Sequence, residues 1–90
     1  MSRSAAAPSV SVTVRFFARY AELLGAPRVE IALPPGSTVA TLQAEVRRAV
    51  PGAERLPERM LCAVNLVHVL PTQVLHDGDE VAILPPLAGG

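Results

Sequence analysis

From Val10 onward the chain alternates: Val10, Val12, Val14 and Phe16 fall in one set of positions and Ser11, Thr13, Arg15 and Phe17 in the other. Successive side chains of an extended strand point to opposite faces, so this spacing predicts a half-buried strand with one apolar face. The rhythm returns at Val29, Ile31 and Leu33, with Glu30 and Ala32 between them. It returns again near the end, where Val81 and Ile83 oppose Glu80, Ala82 and Leu84. Strands of this kind must bury their apolar face against something. One segment is long enough to serve: Val39, Leu42, Val46 and Ala49 form an apolar helical stripe opposite Gln43, Glu45, Arg47 and Arg48. A Ser37 or Thr38 hydroxyl can cap its start, and Pro51-Gly52 ends it near Val50.

The remaining elements are shorter. Residues 18–24 read as a small helix with Tyr20, Leu23 and Leu24 toward the core, stopped by Gly25 and Pro27. Pro34-Pro35-Gly36-Ser37 turns the chain, and residues 53–59 form an irregular or single-turn connector. Met60 to Val64 and Val67 to Leu70 are strand-like around a turn near Asn65, and Val74-Leu75 can add another short strand. His76-Asp77-Gly78-Asp79 resembles an acidic metal cluster but is better read as a hairpin turn with a positive-φ glycine. Two strands, one main helix and then more strands make an α+β order.

Composition narrows the function. Ninety residues, half of them hydrophobic and 18% charged, suit one globular domain. Phe16, Phe17 and Tyr20 are the only aromatic rings, so Val, Leu, Ile and Ala must build the core. Eight acidic residues balance eight basic ones without a basic stripe, which argues against nucleic acid as a partner. Every basic residue is arginine, so no side-chain amine here can accept an isopeptide bond. The single cysteine, Cys62, excludes an internal disulfide and a cysteine-based zinc site, and its apolar run reads as core. His68 and His76 share no ligand-like spacing, so no metal site is expected. No apolar stretch is long enough for a signal peptide or a membrane span, and the expectation is a soluble cytoplasmic protein. Residues 1–9 read as a disordered N-terminal tail.

The last residues are Leu84-Pro85-Pro86-Leu87-Ala88-Gly89-Gly90. Gly89 and Gly90 carry no side chains and tolerate backbone angles closed to other residues, so they can thread a narrow channel. Pro85 and Pro86 fix φ and keep the approach extended. Six extended residues reach about 20 Å, enough to enter another protein's active site. A terminal carboxylate on such a stem reads as a group made for delivery.

Three segments together carry a family resemblance: Val14-Arg15-Phe16-Phe17-Ala18, Ala63-Val64-Asn65, and Asp77-Gly78-Asp79-Glu80-Val81-Ala82 through Pro85-Pro86-Leu87-Ala88-Gly89-Gly90. They resemble the small, sulfur-carrying subunits of molybdopterin synthase, over residues 10–90. The resemblance implies a β-grasp (ubiquitin-like) fold, a mixed sheet wrapped over one helix, spanning residues 10–84 and followed by an extended tail at 85–90. It implies a non-catalytic subunit with no bound cofactor. An ATP-dependent, E1-like adenylating enzyme would convert Gly90 to a glycyl-adenylate, and a sulfur donor would convert that to a thiocarboxylate (1-thioglycine). The tail would then enter the large catalytic subunit, within a heterotetramer, and give its sulfur to cyclic pyranopterin monophosphate. Gly-Gly sulfur carriers for cysteine, thiamine thiazole or tRNA thiolation remain open alternatives, as does a ubiquitin-like protein modifier.

Strand parity adds a second expectation. Phe17 falls with Ser11, Thr13 and Arg15, and Leu84 falls with Glu80 and Ala82, both away from the main apolar set. In a β-grasp the first and last strands are parallel neighbours, so Phe17 and Leu84 would meet beside the tail as a hydrophobic docking patch. The family's docking positions match Phe17, His68 and Leu84, with a histidine where an apolar residue is expected. The alternative for Phe17 is packing against the 18–24 helix. Arg15 can pair with a partner's acid or simply be solvated.

Overall fold

A computed structural model describes residues 9–57 and 60–85. The two tails expected at 1–9 and 85–90 therefore fall outside the described residues, apart from Ser9 and Pro85. Strands β1 (Val10–Phe16), β2 (Arg28–Leu33), β3 (Leu61–Val64), β4 (Val67–Val69) and β5 (Glu80–Leu84) join in one sheet of order β2-β1-β5-β3-β4. β1 and β5 run parallel, with Val14 opposite Val81 and Phe16 opposite Ile83. The other pairs are antiparallel. Helix α1 spans Arg19–Leu24 and helix α2 spans Val39–Ala49. A mixed sheet packed on one principal helix, with first and last strands parallel at its centre, is the β-grasp arrangement.

The core lies where period-two strands meet the helical stripe. Val12, Val14, Val81 and Ile83 project from the sheet centre, and Val39, Leu42 and Val46 come down from α2; all are essentially inaccessible to water. Thr38, the residue before α2, accepts the Thr41 N–H at 3.3 Å, so it is the cap and Ser37 is not. Ser37 is itself buried, and its hydroxyl donates to the Pro34 carbonyl at 2.6 Å. Gly36, at φ 85°, closes that turn in a conformation few other residues adopt.

Several expectations need correction. Leu23 is 39% exposed, because α1 has only six residues and reaches the core through Tyr20, with Leu24 half-buried. Ala49 is exposed and Val50 buried in its place. At 3.6 residues per turn the stripe drifts round the helix, and Val50 lies closer to its line than Ala49. Gln43, expected on the solvent side, is half-buried, and its Nε2 donates to the Cys62 Sγ at 3.1 Å. Val74-Leu75 is no strand, only a single bridge from Val74 to Thr38 with Leu75 fully buried beside it. The connector holds one 3-10 turn at Ala53–Arg55, tied to α2 by Arg47, which donates to the Leu56 carbonyl at 2.9 Å and to that of Pro57. The 76–79 turn is not a hairpin, since it feeds β5 from a loop rather than joining paired strands.

Cys62 is buried as its apolar run implied. Burial pushes its thiol above the ordinary range, partly opposed by the Gln43 hydrogen bond, and burial likewise raises the Tyr20 phenol. Below the unfolded-state values of about 8.5 for cysteine and about 10 for tyrosine, both groups are protonated in both states and their stabilising effect is complete. Above those values the unfolded chain ionises while the native chain resists, so stability falls as pH rises. Urea midpoints should therefore decline from pH 8 to pH 10.5, and Cys62 should resist alkylation at pH 8 until urea unfolds the chain. Rapid alkylation of the native protein would contradict this account.

Candidate functional site

The outer face of the sheet, opposite α2, carries the residues singled out for docking. Its order follows from register. Arg15 pairs with Ala82, Ala82 with Ala63, and Ala63 with His68, so these four form one row across four strands. Residues opposite one another on paired strands share a face. One step further along β5, Leu84 pairs with Leu61. On its other side the parallel ladder continues past the end of β1, where the Phe17 N–H donates to the Ile83 carbonyl at 3.3 Å. Phe17, Leu84 and Leu61 thus make a second, apolar row at the end of β5 from which Pro85 departs.

Phe17 is 38% exposed and Leu61 37%, while Leu84 and Ala82 are partly covered and His68 is exposed. The structure brings Phe17 and Leu84 together, and it sets His68 on the same face but one row back, at the β4 edge. The backbone after Phe17 turns sharply into α1. The Phe17 carbonyl accepts the Tyr20 N–H at 3.1 Å while Ala18 takes φ 53° and ψ −131°, so the chain reverses immediately after Phe17. A positive φ at alanine is strained, and it marks a tight turn that holds its neighbours in place.

Leu61 is the residue that sequence parity missed. Met60-Leu61-Cys62-Ala63-Val64 is apolar throughout, so no alternation revealed which side chains face outward. The signal lay in β4, where Val67 and Val69 flank His68 and pair with Val64 and Cys62. That pairing sends Cys62 and Val64 inward and puts Leu61 and Ala63 on the outer face, Leu61 exposed and Ala63 buried among its neighbours.

Arg15 is neither free nor turned to empty solvent. Its guanidinium lies 3.7 Å from the Glu80 carboxylate and 5.3 Å from the centroid of the Phe17 ring. The acids of the turn before β5 are occupied with hydrogen bonding inside the chain. Asp77 accepts the Ser11 N–H at 2.8 Å, and Asp79 accepts both the His76 N–H and the Asn65 amide. Gly78, at φ 86°, lets its N–H reach the Ser11 carbonyl at 2.8 Å. These carboxylates serve as turn and register groups. The tail residues Pro86, Leu87, Ala88, Gly89 and Gly90 lie outside the described residues. Pro85, the first residue of the stem, is partly buried.

Comparison with known proteins places the chain and its fold in a family. Residues 14–90 match the ThiS family. A molybdopterin synthase sulfur carrier subunit of Arabidopsis thaliana is 33% identical over 82 residues, covering 91% of this chain and 85% of that protein. One from Escherichia coli is 36% identical over 80 residues, covering 88% and 99%. Among solved structures, a putative molybdopterin converting factor subunit 1 from Pyrococcus furiosus superposes with a TM-score of 0.77 at 33% identity, covering 88% of this chain and all of that one.

Neighbouring residues on opposite faces should respond differently to substitution. Phe16 is buried in the core, and Phe16→Ala should cost about 3–5 kcal/mol. Phe17→Ser, one residue on but on the outer face, should cost less than about 1 kcal/mol. Urea denaturation of the two variants checks this directly, and comparable losses would place Phe17 in the core.

Proposed function

This chain belongs to the ThiS family, and we propose that it is the sulfur-carrying subunit of a molybdopterin synthase, loaded with sulfur at Gly90. The observation that carries the reading is the apolar row Phe17–Leu84–Leu61 at the point where β5 leads into Pro85. A partner seated on that row would receive the stem of the tail at the edge of its own surface. The names of the relatives, each a sulfur carrier subunit of molybdopterin synthase, support sulfur as the group carried.

A terminal carboxyl has a pKa of about 3.5, so at neutral pH it is an anion and a poor electrophile. Reaction with ATP turns it into an acyl-adenylate with release of pyrophosphate. A sulfide-level sulfur then attacks the acyl carbon, the bond to AMP breaks, and a thiocarboxylate remains on Gly90. That sulfur is the nucleophile offered to the pterin precursor in the large subunit, and water restores the carboxylate. Gly89 and Gly90 provide the slim end such a transfer requires, and Pro85 and Pro86 the extended stem. The body of the domain contributes position, and the large subunit contributes the catalytic groups.

Two experiments test this. Incubation with ATP, an E1-like activating enzyme and a sulfur donor should raise the intact mass by about 16 Da, oxygen replaced by sulfur. Fragmentation should place the change on Gly90, and a chain lacking Gly90 should fold normally yet show no shift. Absence of any shift in the full chain would sink the carrier role. Separately, Phe17→Ala and Leu61→Ala should each weaken binding to the molybdopterin synthase large subunit of the same organism about tenfold, or about 1.4 kcal/mol. Undiminished affinity in both would remove the outer face from the interface.

A further inference from the structure

Arg15 is the outer-face residue whose surroundings exceed what solvation needs. Its guanidinium stands over the Phe17 ring, 5.3 Å from the centroid, while reaching the Glu80 carboxylate at 3.7 Å. Both partners of the ion pair are nearly half exposed, and an exposed pair of this kind adds little to stability. Its consequence is therefore orientational. The Phe17 backbone is already held on both sides, by the bond from its N–H to Ile83 and by the strained turn at Ala18. The ring's own torsions are not set by those backbone contacts, and with Phe17 38% exposed its ring is only partly covered.

The backbone of Glu80, from which the carboxylate reaches Arg15, is anchored. Its N–H donates to the Asn65 Oδ1 at 3.0 Å and its carbonyl accepts the Asn65 N–H at 2.8 Å. Asn65 in turn donates from Nδ2 to Asp79 at 2.9 Å. A continuous set of contacts runs from the β3–β4 turn through Glu80 and Arg15 to the Phe17 ring.

We infer that Arg15 is a positioning residue for docking: leaning on Glu80, it holds the Phe17 ring in the outward pose that the large subunit receives. This rests on the docking reading given above. A preset aromatic ring loses less freedom when it enters a partner's pocket, so the gain appears as affinity. Arg suits the task better than Lys, because its flat guanidinium can stack on a ring and meet a carboxylate at once.

The test is a double-mutant cycle on binding to the large subunit of the same organism, using Arg15→Gln and Phe17→Ala. Cation–π contacts at exposed sites correspond to about two- to fivefold in affinity. Arg15→Gln should weaken binding by about that factor in the native background and have no further effect beside Phe17→Ala. Arg15→Lys should recover part of the loss, and the urea midpoint should be unchanged in each Arg15 variant. In the free protein, the Arg15 side-chain protons should be shifted upfield by the ring, and Phe17→Ala should abolish the shift. If Phe17→Ala weakens binding but Arg15→Gln does not, the positioning role falls while docking stands. If Arg15→Gln costs the same in both backgrounds, Arg15 touches the partner directly and positions nothing. If Phe17→Ala leaves affinity intact, the docking reading and the inference fall together.

Discussion

The parallel pairing of β1 with β5 determines what the rest of the molecule can present. Because the two strands run the same way, their C-terminal ends lie side by side, and Phe17 comes beside Leu84 rather than beside Glu80. An antiparallel pairing of the same two strands would bring Phe17 to the start of β5, far from Pro85. Parallel neighbours also need a crossover connection, and here α2 lies within it. The helix packs on one face of the sheet, and on the other Arg15, Phe17, Leu61 and His68 are exposed among the described residues. A one-sided sheet with an apolar row at the exit of its central strand is thus a consequence of topology.

That pairing divides the sequence between stability and recognition, residue by residue. Val14, Phe16, Val81 and Ile83 point to the core, and Arg15, Phe17, Ala82 and Leu84 point away. A slip of one residue in register would exchange the two sets completely. The turn before β5 guards against it. Asp77 and Gly78 both bond the backbone of Ser11, and the Asp79 carbonyl accepts the Thr13 N–H at 3.0 Å. Three consecutive residues are tied to the start of β1, so the position of Leu84 relative to Phe17 is set five residues before it is reached. The acidic run Asp77-Gly78-Asp79-Glu80 is best understood as a register lock.

Much of this was legible in the chain because β1 and β5 alternate cleanly and α2 carries a continuous stripe. Phe17 and Leu84 could be assigned outward from parity alone, and their juxtaposition needed only the parallel arrangement. What parity could not reach was β3, where the unbroken apolar run from Met60 to Val64 hides the facing of Leu61. Short elements misled for a related reason: α1 has too few turns for a stripe to define itself, so Leu23 and Leu24 could not be told apart. Gln43 and Ala49 were misjudged because the helical period drifts against a simple three-and-four count. The Arg15–Glu80–Phe17 arrangement depends on diagonal neighbours in different strands, which no local pattern records. The glycine tail was read from its residues only, and it lies outside the described structure.

The β3–β4 turn shows how strain at one point can serve order at another. Asn65 and Leu66 both have positive φ, at 49° and 74°, in a two-residue hairpin of the kind that favours Asn followed by Gly. Asn tolerates that conformation readily, but leucine does not, and Leu66 is 89% exposed with little packing to offset the strain. The turn nevertheless holds its shape because Asn65 makes three hydrogen bonds to Asp79 and Glu80. Two of those bonds also hold the backbone of Glu80, which the pairing with Thr13 fixes from the other side. Relaxing the turn into a wider loop would relieve Leu66 but release the support on which the Phe17 ring depends. The strained hairpin and the exposed aromatic ring are therefore joined by a run of contacts, hydrogen bonds from Asn65 to the Asp79 carboxylate and the Glu80 backbone, then the Glu80–Arg15 ion pair and the Arg15–Phe17 cation–π contact.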